Sequence, residues 1–465
     1  MRTGNTRTGT IVAFALLTLI VGPGGTRGQE QNESQDIIPA YFPYPAALRP
    51  QVEFWRNIFA TYSKYQVVIH DSETMKVYKV VDFRPLLDEE GLDEATVLQI
   101  RQEQSKIKLE QVRSLLLKLH QCGDDCGDLT AEEQKIRDMY RNVNDPDKFR
   151  AAASEDRLRS QVGIRERFRD AIQMSRRYLH TMEEIFRRAG VPVELTRLPF
   201  IESSFNIGAY SKVGAAGIWQ FMPATGRLYK MRINNVVDER RDPLVATEAA
   251  ARLLRANYES LGTWPLAITA WNHGPGGVAE AVDTVGTTDI GQIIRKYHGK
   301  RFGFASRNFY PEFLAALDVE KNYENHFGSL QMQAPLTYDR VHIDCPILLR
   351  TAAHFANADE DDLLMLNPSL GAAVRSSHAS VPHGYQLRVP SGMSVAFLEH
   401  YNPWQEKEKV RLAALEETRK ARLATLKGRK RTHSKKVVAS GKNGKRSSVR
   451  QEAEASDGKT RKPRG

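Results

Sequence analysis

The sequence predicts a mainly α protein, in which a helical central domain is flanked by a small N-terminal α+β region and a small C-terminal β-α-α-β module. Three observations carry this. Between about residues 155 and 325, short apolar-periodic segments follow one another between Pro and Gly punctuation, with few strand signals. Alternating or β-rich runs are confined to Tyr65–Phe83, Tyr338–Cys345 and Tyr385–Val389. The 465 residues are 41% hydrophobic and 26% charged, which is globular composition with room for two to four domains and excludes a disulfide miniprotein, a collagen and a fully disordered chain.

The elements follow in order. After the extended lead-in marked by Pro43, Pro45 and Pro50, residues Val52, Trp55, Phe59 and Tyr62 recur at helical spacing, as a core face does. Strand-like Tyr65–Ile69 and Val77–Phe83 come next, then a charged helix over Glu94–Leu119 and a polar break at Asp145-Pro146-Asp147. A long helix is expected over Arg157–Arg188, ending at Gly190. Asp242-Pro243 reads as N-cap and first helical residue, Gly262 closes that helix, and Pro265 opens the segment holding Trp271 and Asn272. Past Leu336, strand Tyr338–Cys345, helices Pro346–Asn357 and Asp359–Leu366, and strand Tyr385–Val389 make the β-α-α-β unit. A charged helix over Glu406–Leu426 precedes a disordered basic end. The domain reading is therefore 1–28 leader, 29–150 α+β region, 151–330 helical domain, 335–395 module, and 396–465 charged helix and tail.

Charge and targeting narrow the classes. The formal charge of +11 belongs to the tail: residues 405–465 hold 20 Lys and Arg against 7 Asp and Glu, which leaves the rest of the chain at −2. A nucleic-acid reading of the whole protein is thereby lost, and the tail has no interleaved aromatics for base stacking, so no specific nucleic acid is expected. Arg2 and Arg7, the apolar run Ile11–Val21 and the small residues Gly22–Gly28 have the order of a secretory signal. Eleven apolar residues rise only about 16 Å as a helix, short of a hydrocarbon core of about 30 Å, so the two readings are a cleaved leader and a retained N-terminal anchor. No cysteine follows the run, against a lipoprotein anchor. An exported protein permits disulfides, and Cys122 and Cys126 read as a local disulfide or two free thiols; with His120 they fall short of the four ligands of a closed zinc site, so no metal is expected.

The chemistry concentrates in three segments: Leu198 to Asn206 around Glu202-Ser203, Gly214 to Pro223 with Gly217-Ile218-Trp219-Gln220-Phe221-Met222-Pro223, and Ala270-Trp271-Asn272-His273-Gly274. Glu202 is flanked by Phe200, Ile201 and Phe205, and apolar surroundings raise a carboxyl pKa toward what a general acid needs. The alternative is a helix-end Glu hydrogen-bonded for structure. No second acidic residue lies in the three segments; the nearest candidates, Asp238, Glu239 and Asp242, read as loop and N-cap residues.

In order and spacing these segments resemble the motifs of the lytic transglycosylases, in the soluble-type domain and the membrane-bound transglycosylase D branch. The resemblance implies a lysozyme-like helical fold with a groove for peptidoglycan glycan strands and no cofactor. It implies Glu202 as the single catalytic acid/base, Ser203 orienting its carboxyl, Gln220 and Met222 lining the groove, and Asn272 placing the sugar N-acetyl group. Trp271 stands where the family usually has Tyr, and the family's groove tyrosine falls on Phe309 or the adjacent Tyr310. The C-terminal unit looks like a LysM-type peptidoglycan-binding repeat, against the alternative of a structural α/β module. The implied activity is cleavage of the MurNAc-GlcNAc β-1,4 bond with formation of 1,6-anhydro ends, outside the cytoplasm in the periplasm, wall-associated or peripheral to the membrane. The basic tail would touch anionic wall or membrane surface weakly. A hydrolysing muramidase and a non-catalytic wall-binding scaffold are the rival functions.

Overall fold

The computed structural model describes residues 39–440 except Glu89 and Asp124; the expected leader over 1–28 and the tail beyond 440 lie outside the described residues. Pro50 sits in the first turn of α1 (Arg49–Ala60), which buries Val52, Trp55 and Phe59 as their spacing requires. Strands β1 (Gln66–Asp71) and β2 (Val77–Asp82) pair antiparallel, Val68 opposite Val80, with a bulge at Ile69/His70. The short α2 (Pro85–Asp88) leads to α3 (Glu94–Cys122), capped by Asp93, whose side chain accepts from the Thr96 amide. Cys122 and Cys126 are disulfide-bonded just after it. A capping box of Thr130 and Glu133 starts α4 (Ala131–Met139), and α5 (Lys148–Ala152) follows.

The next element departs from expectation. Residues 157–188 do not form one helix: they divide into β3 (Leu158–Val162), α6 (Arg165–Ser175) and α7 (Leu179–Arg188). β3 pairs antiparallel with β1, Asp71 opposite Leu158 and Val67 opposite Val162, giving the sheet order β2-β1-β3. A free edge on β1 outweighs helix propensity in this segment. Buried Asp71 fixes the corner, accepting from Arg157 and, at 3.0 Å, from the Tyr140 hydroxyl.

Beyond α7 come α8 (Leu198–Ser203), α9 (Pro223–Leu228), α10 (Pro243–Leu261), α11 (Trp264–His273), α12 (Pro275–Val285), α13 (Ile290–Lys296), α14 (Phe304–Lys321) and α15 (Tyr323–Phe327). α10 has the expected ends: Asp242 Oδ1 accepts from the Leu244 and Val245 amides, and Gly262 closes it at φ +80°. α14 runs through Pro311, and both α1 and α8 pack on it. A file of rings links these helices, Phe59 to Phe168 at 4.8 Å, Phe168 to Phe200 at 5.1 Å and Phe200 to Phe205 at 4.9 Å. The N-terminal helix is thus part of the core under α8. The described residues up to Thr337 pack as one compact unit together with the strip Asn367–Ala372, and among the described residues no break between compact bodies falls at residue 150. The strip enters through Gly371, whose amide donates to the Val236 carbonyl at 2.8 Å.

The second unit contains β4 (Asp339–Ile343), α16 (Leu349–Phe355), α17 (Glu360–Leu366), α18 (Ala372–Arg375) from Ala373 on, β5 (Tyr385–Val389) and α19 (Ser394–Ser440). β4 and β5 pair antiparallel, Val341 opposite Leu387. The order is the expected β-α-α-β with one extra helical turn, α18, in the long connection before β5. α19 starts earlier than expected because its first turns belong to this core: the Tyr401 hydroxyl donates to the Cys345 carbonyl at 2.9 Å, and Phe397 and Tyr401 are buried. It also continues to Ser440 where disorder was expected after Lys427, in a stretch of helix-forming Lys, Arg and Ala preceded by i,i+3 and i,i+4 pairs such as Glu406 with Lys409 and Glu416 with Lys420. Among the described residues no helix is long and apolar enough to cross a membrane.

Candidate active site

Glu202 lies near the end of α8, a helix of six residues fixed at both ends. At its start Arg197 is buried, with Nε on Glu320 at 3.0 Å and a further bond to Glu183. At its end the chain turns through two left-handed non-glycine residues, Ser204 at φ 52° and Phe205 at φ 54°. Such conformations cost of order 1–3 kcal/mol each and persist only where packing over-determines them. Here the buried Phe205 ring against Phe200 does so.

The second segment wraps against that helix end. Ser203 Oγ donates to the Ile218 carbonyl at 2.9 Å, so the hydroxyl ties α8 to the Gly217–Met222 loop and its one hydrogen is not available to the Glu202 carboxylate. The expectation that Ser203 orients that carboxyl is not met by a hydrogen bond between the two: the hydroxyl is spent on a backbone carbonyl. Gly217 sits at φ +75°, and a Cβ there would stand 1.9 Å from the Arg240 carbonyl oxygen, which only glycine avoids. Gln220 Nε2 donates to the Gly217 carbonyl at 2.8 Å, within its own loop. Met222 is 41% exposed at the N-cap of α9, a free thioether beside that loop. Sequence reasoning missed Arg240: it is buried, held by Asp238 at 2.7 Å, and donates to the carbonyls of Gly214 at 2.6 Å and Phe221 at 3.0 Å. Asp238, Glu239 and Asp242 are spent as expected, on Arg240, on Arg232 at 2.6 Å and on the α10 cap.

The third segment closes the site. The Trp271 ring lies 5.5 Å from Trp219 and 5.3 Å from Phe221, and its indole hydrogen-bonds to Glu202. Burial pushes the Glu202 carboxyl up to about 7, with the Trp271 bond working in the opposite direction. Asn272 is exposed at the C-terminal end of α11, its Oδ1 accepting from Ser306 Oγ at 3.1 Å.

Tyr310 does not join this group. It is fully buried and donates its hydroxyl to the Pro43 carbonyl at 2.7 Å, and Phe309 is only 5% exposed, so neither register places a phenol in a groove. The residue that α14 does contribute is Glu312, half-buried and near enough to Glu202 for their charges to oppose each other. Burial and the Glu202 charge hold its carboxyl well above the usual range. Its only sequence signal is an acidic residue inside the apolar run Phe309 to Ala315. Among the described residues no cluster of His, Cys, Asp or Glu could hold a metal ion.

Residues 182–294, which contain all three segments, match the family model of the transglycosylase SLT domain. The chain is 30% identical over 256 residues to the membrane-bound lytic murein transglycosylase D of Escherichia coli, in strain K12 and in strain O6:H1, over 50% of this chain and 54% of each relative. It thus spans about half the length of the curated relatives it matches. Among solved structures, the 70 kDa soluble lytic transglycosylase of Escherichia coli is 15% identical with a TM-score of 0.26, covering 67% of this chain and 56% of that one.

Proposed function

We propose, from the match of residues 182–294 to the transglycosylase SLT domain and the likeness to the transglycosylase D relatives, that this chain is a lytic transglycosylase and cleaves peptidoglycan glycan strands with Glu202 as the sole acid/base. The observation that carries the reading is the Glu202 carboxyl, pushed up to about 7 where the three segments meet. A group with that pKa is protonated often enough to give a proton near neutral pH and weak enough as an acid to take one back.

An ordinary retaining glycosidase needs a second, ionised carboxylate as nucleophile. Glu312 does not meet that need, because a carboxyl held well above the usual range beside another is the neutral member of the pair. The nucleophile then comes from substrate. The N-acetyl carbonyl oxygen of N-acetylmuramic acid bonds to C1 while Glu202 protonates the leaving glycosidic oxygen and the C1–O bond breaks. Glu202, now a carboxylate, takes the proton of the sugar's C6 hydroxyl, O6 bonds to C1, and the N-acetyl oxygen is released. The 1,6-anhydro ring closes and no water is consumed. In this scheme Gln220 and Met222 line the groove, Asn272 places the acetamido group, and the Trp219, Phe221 and Trp271 rings keep water from competing.

For the second unit the β4-α16-α17-β5 order supports a LysM-like wall-binding role. The sequence pattern of residues 1–28 supports export to the periplasm or wall, and the basic tail a weak contact with anionic surface.

The test is a digest of purified sacculi resolved by mass spectrometry. Effective molarity of the sugar's own hydroxyl favours ring closure, so products should carry 1,6-anhydro-N-acetylmuramic ends, lighter by one water than muramidase products. Reducing N-acetylmuramic ends in a fresh digest would replace the lyase with the hydrolase on the same site. No cleavage by the wild type, with sacculus binding intact, would leave the scaffold.

A further inference from the structure

The segment Asn272-His273-Gly274-Pro275-Gly276-Gly277 contributes only Asn272 to the reaction above, yet the structure gives its neighbours a connected arrangement. Ser306, in the first turn of α14, is buried, and its Oγ donates to Asn272 Oδ1 at 3.1 Å. The His273 Nδ1 lies 3.0 Å from the same Oγ. A serine hydroxyl has one hydrogen, and here it is spent on Asn272, so the imidazole must donate its Nδ1–H to Ser306. The ring is itself located by packing. Phe302 meets it edge to face at 5.0 Å, and a Cβ on Gly277 would stand 2.6 Å from it, so glycine is what leaves room for the imidazole.

We propose that Ser306 and His273 are positioning residues that fix the Asn272 carboxamide, its oxygen turned toward α14 and its amide hydrogens presented to an acceptor oxygen of the bound sugar. A primary amide on an exposed side chain has two orientations that differ little in energy, and in only one of them does it offer donors outward. With the relay in place the orientation is settled before substrate arrives, and binding does not have to select it. The acceptor this serves is a neutral carbonyl or hydroxyl oxygen, the chemistry of an N-acetylhexosamine; an N–H group at that place would meet two hydrogens. The substrate half of the statement rests on the peptidoglycan reading, whereas the relay stands on the protein alone.

The two halves are tested separately. In full-length protein with selectively 15N-labelled asparagine, the Asn272 side-chain amide, assigned by its loss in Asn272→Asp, should be ordered. It should stay ordered in Ser306→Thr, which keeps the hydroxyl, and become mobile in Ser306→Ala and in His273→Phe, which keeps a ring but no donor. An amide equally ordered in Ser306→Ala overturns the relay, whatever the protein cleaves. On glycan strands, Ser306→Ala should lower kcat/KM about three- to tenfold, the worth of one neutral hydrogen bond. The same change made on Asn272→Ala should add nothing, since a residue acting through Asn272 has no effect once Asn272 is gone. Full additivity of the two overturns the proposal, and a wild type without activity on glycans would fail the peptidoglycan reading while the NMR result still judges the relay.

Discussion

Replacing Glu202 by Gln should make the protein inactive and, above neutral pH, more stable. The side chain is nearly isosteric, so the change removes a titration and little packing. In the unfolded chain a Glu ionises near 4.3, as model peptides do, and in the fold Glu202 ionises at about 7. Below both values the carboxyl is neutral in both states and wild type and variant should agree. As pH rises between them the unfolded chain releases its proton while the fold retains it, so wild-type stability falls. Above about 7 the loss is complete and constant. At 1.36 kcal/mol per pKa unit the upper bound is about 3.7 kcal/mol, and water reaching a half-buried carboxyl reduces this to about 1–2 kcal/mol. For a unit of this size that is a gain in Tm of about 2–3 °C at pH 8 and almost none at pH 4. Circular dichroism melts of both proteins at half-unit steps from pH 4 to 8 read it directly, with turnover on sacculi measured on the same preparations. A Tm difference that does not change with pH would refute the desolvation of Glu202, and with it the physical basis for its role. Residual turnover above a few per cent of wild type, as an order-of-magnitude threshold, would refute the role itself.

Glu312→Gln should keep turnover within severalfold of wild type with an unchanged pH profile, since a neutral carboxyl is replaced by a neutral amide; a loss of a hundredfold or more, of the size general acid–base groups contribute, would make Glu312 a reacting group. Trp271→Phe keeps an aromatic ring against Trp219 and Phe221 but removes the indole hydrogen bond that lowers the Glu202 pKa. The fall of activity on the alkaline side should therefore move to higher pH in kcat/KM profiles. Gly217→Ala places a methyl group against the Arg240 carbonyl in a left-handed conformation and should cost about 2–4 kcal/mol in urea unfolding.

Where local chemistry decides a boundary, the sequence was readable. Asp242 and Gly262 delimit α10 because a carboxylate satisfies the first free amides and a glycine accepts φ +80° without strain. Tyr385–Val389 is β5 as expected, a β-rich run of which only Gln386 is exposed. The reading failed where a distant partner decides. Leu158–Val162 has helical neighbours on its C-terminal side and becomes a strand because β1 offers a free edge. The membership of Asn367–Ala372 in the first unit, and of the α19 N-terminal turns in the second, are likewise tertiary facts with no local marker.

The site divides along the same line. Glu202, the Gly217–Met222 loop and Trp271-Asn272 come together because each carries its own turn chemistry and helix ends, and the fold has only to bring three prepared pieces into contact. Ser203 and Tyr310 were assigned by position in a motif, and the structure spends both hydroxyls on backbone carbonyls, Ile218 for one and Pro43 for the other. Glu312 could not be recognised by type, since a single acidic residue in an apolar helix reads as an exposed position. Its meaning depends on α14 lying against α8. Once it does, two carboxyls share a poorly hydrated space and cannot both ionise cheaply. Burial and the Glu202 charge both push the Glu312 carboxyl toward its neutral form, and Glu202 is the carboxyl of the pair pushed up to about 7. A structure with two carboxyls at its centre therefore offers the chemistry of one, which is what a reaction drawing its nucleophile from substrate requires.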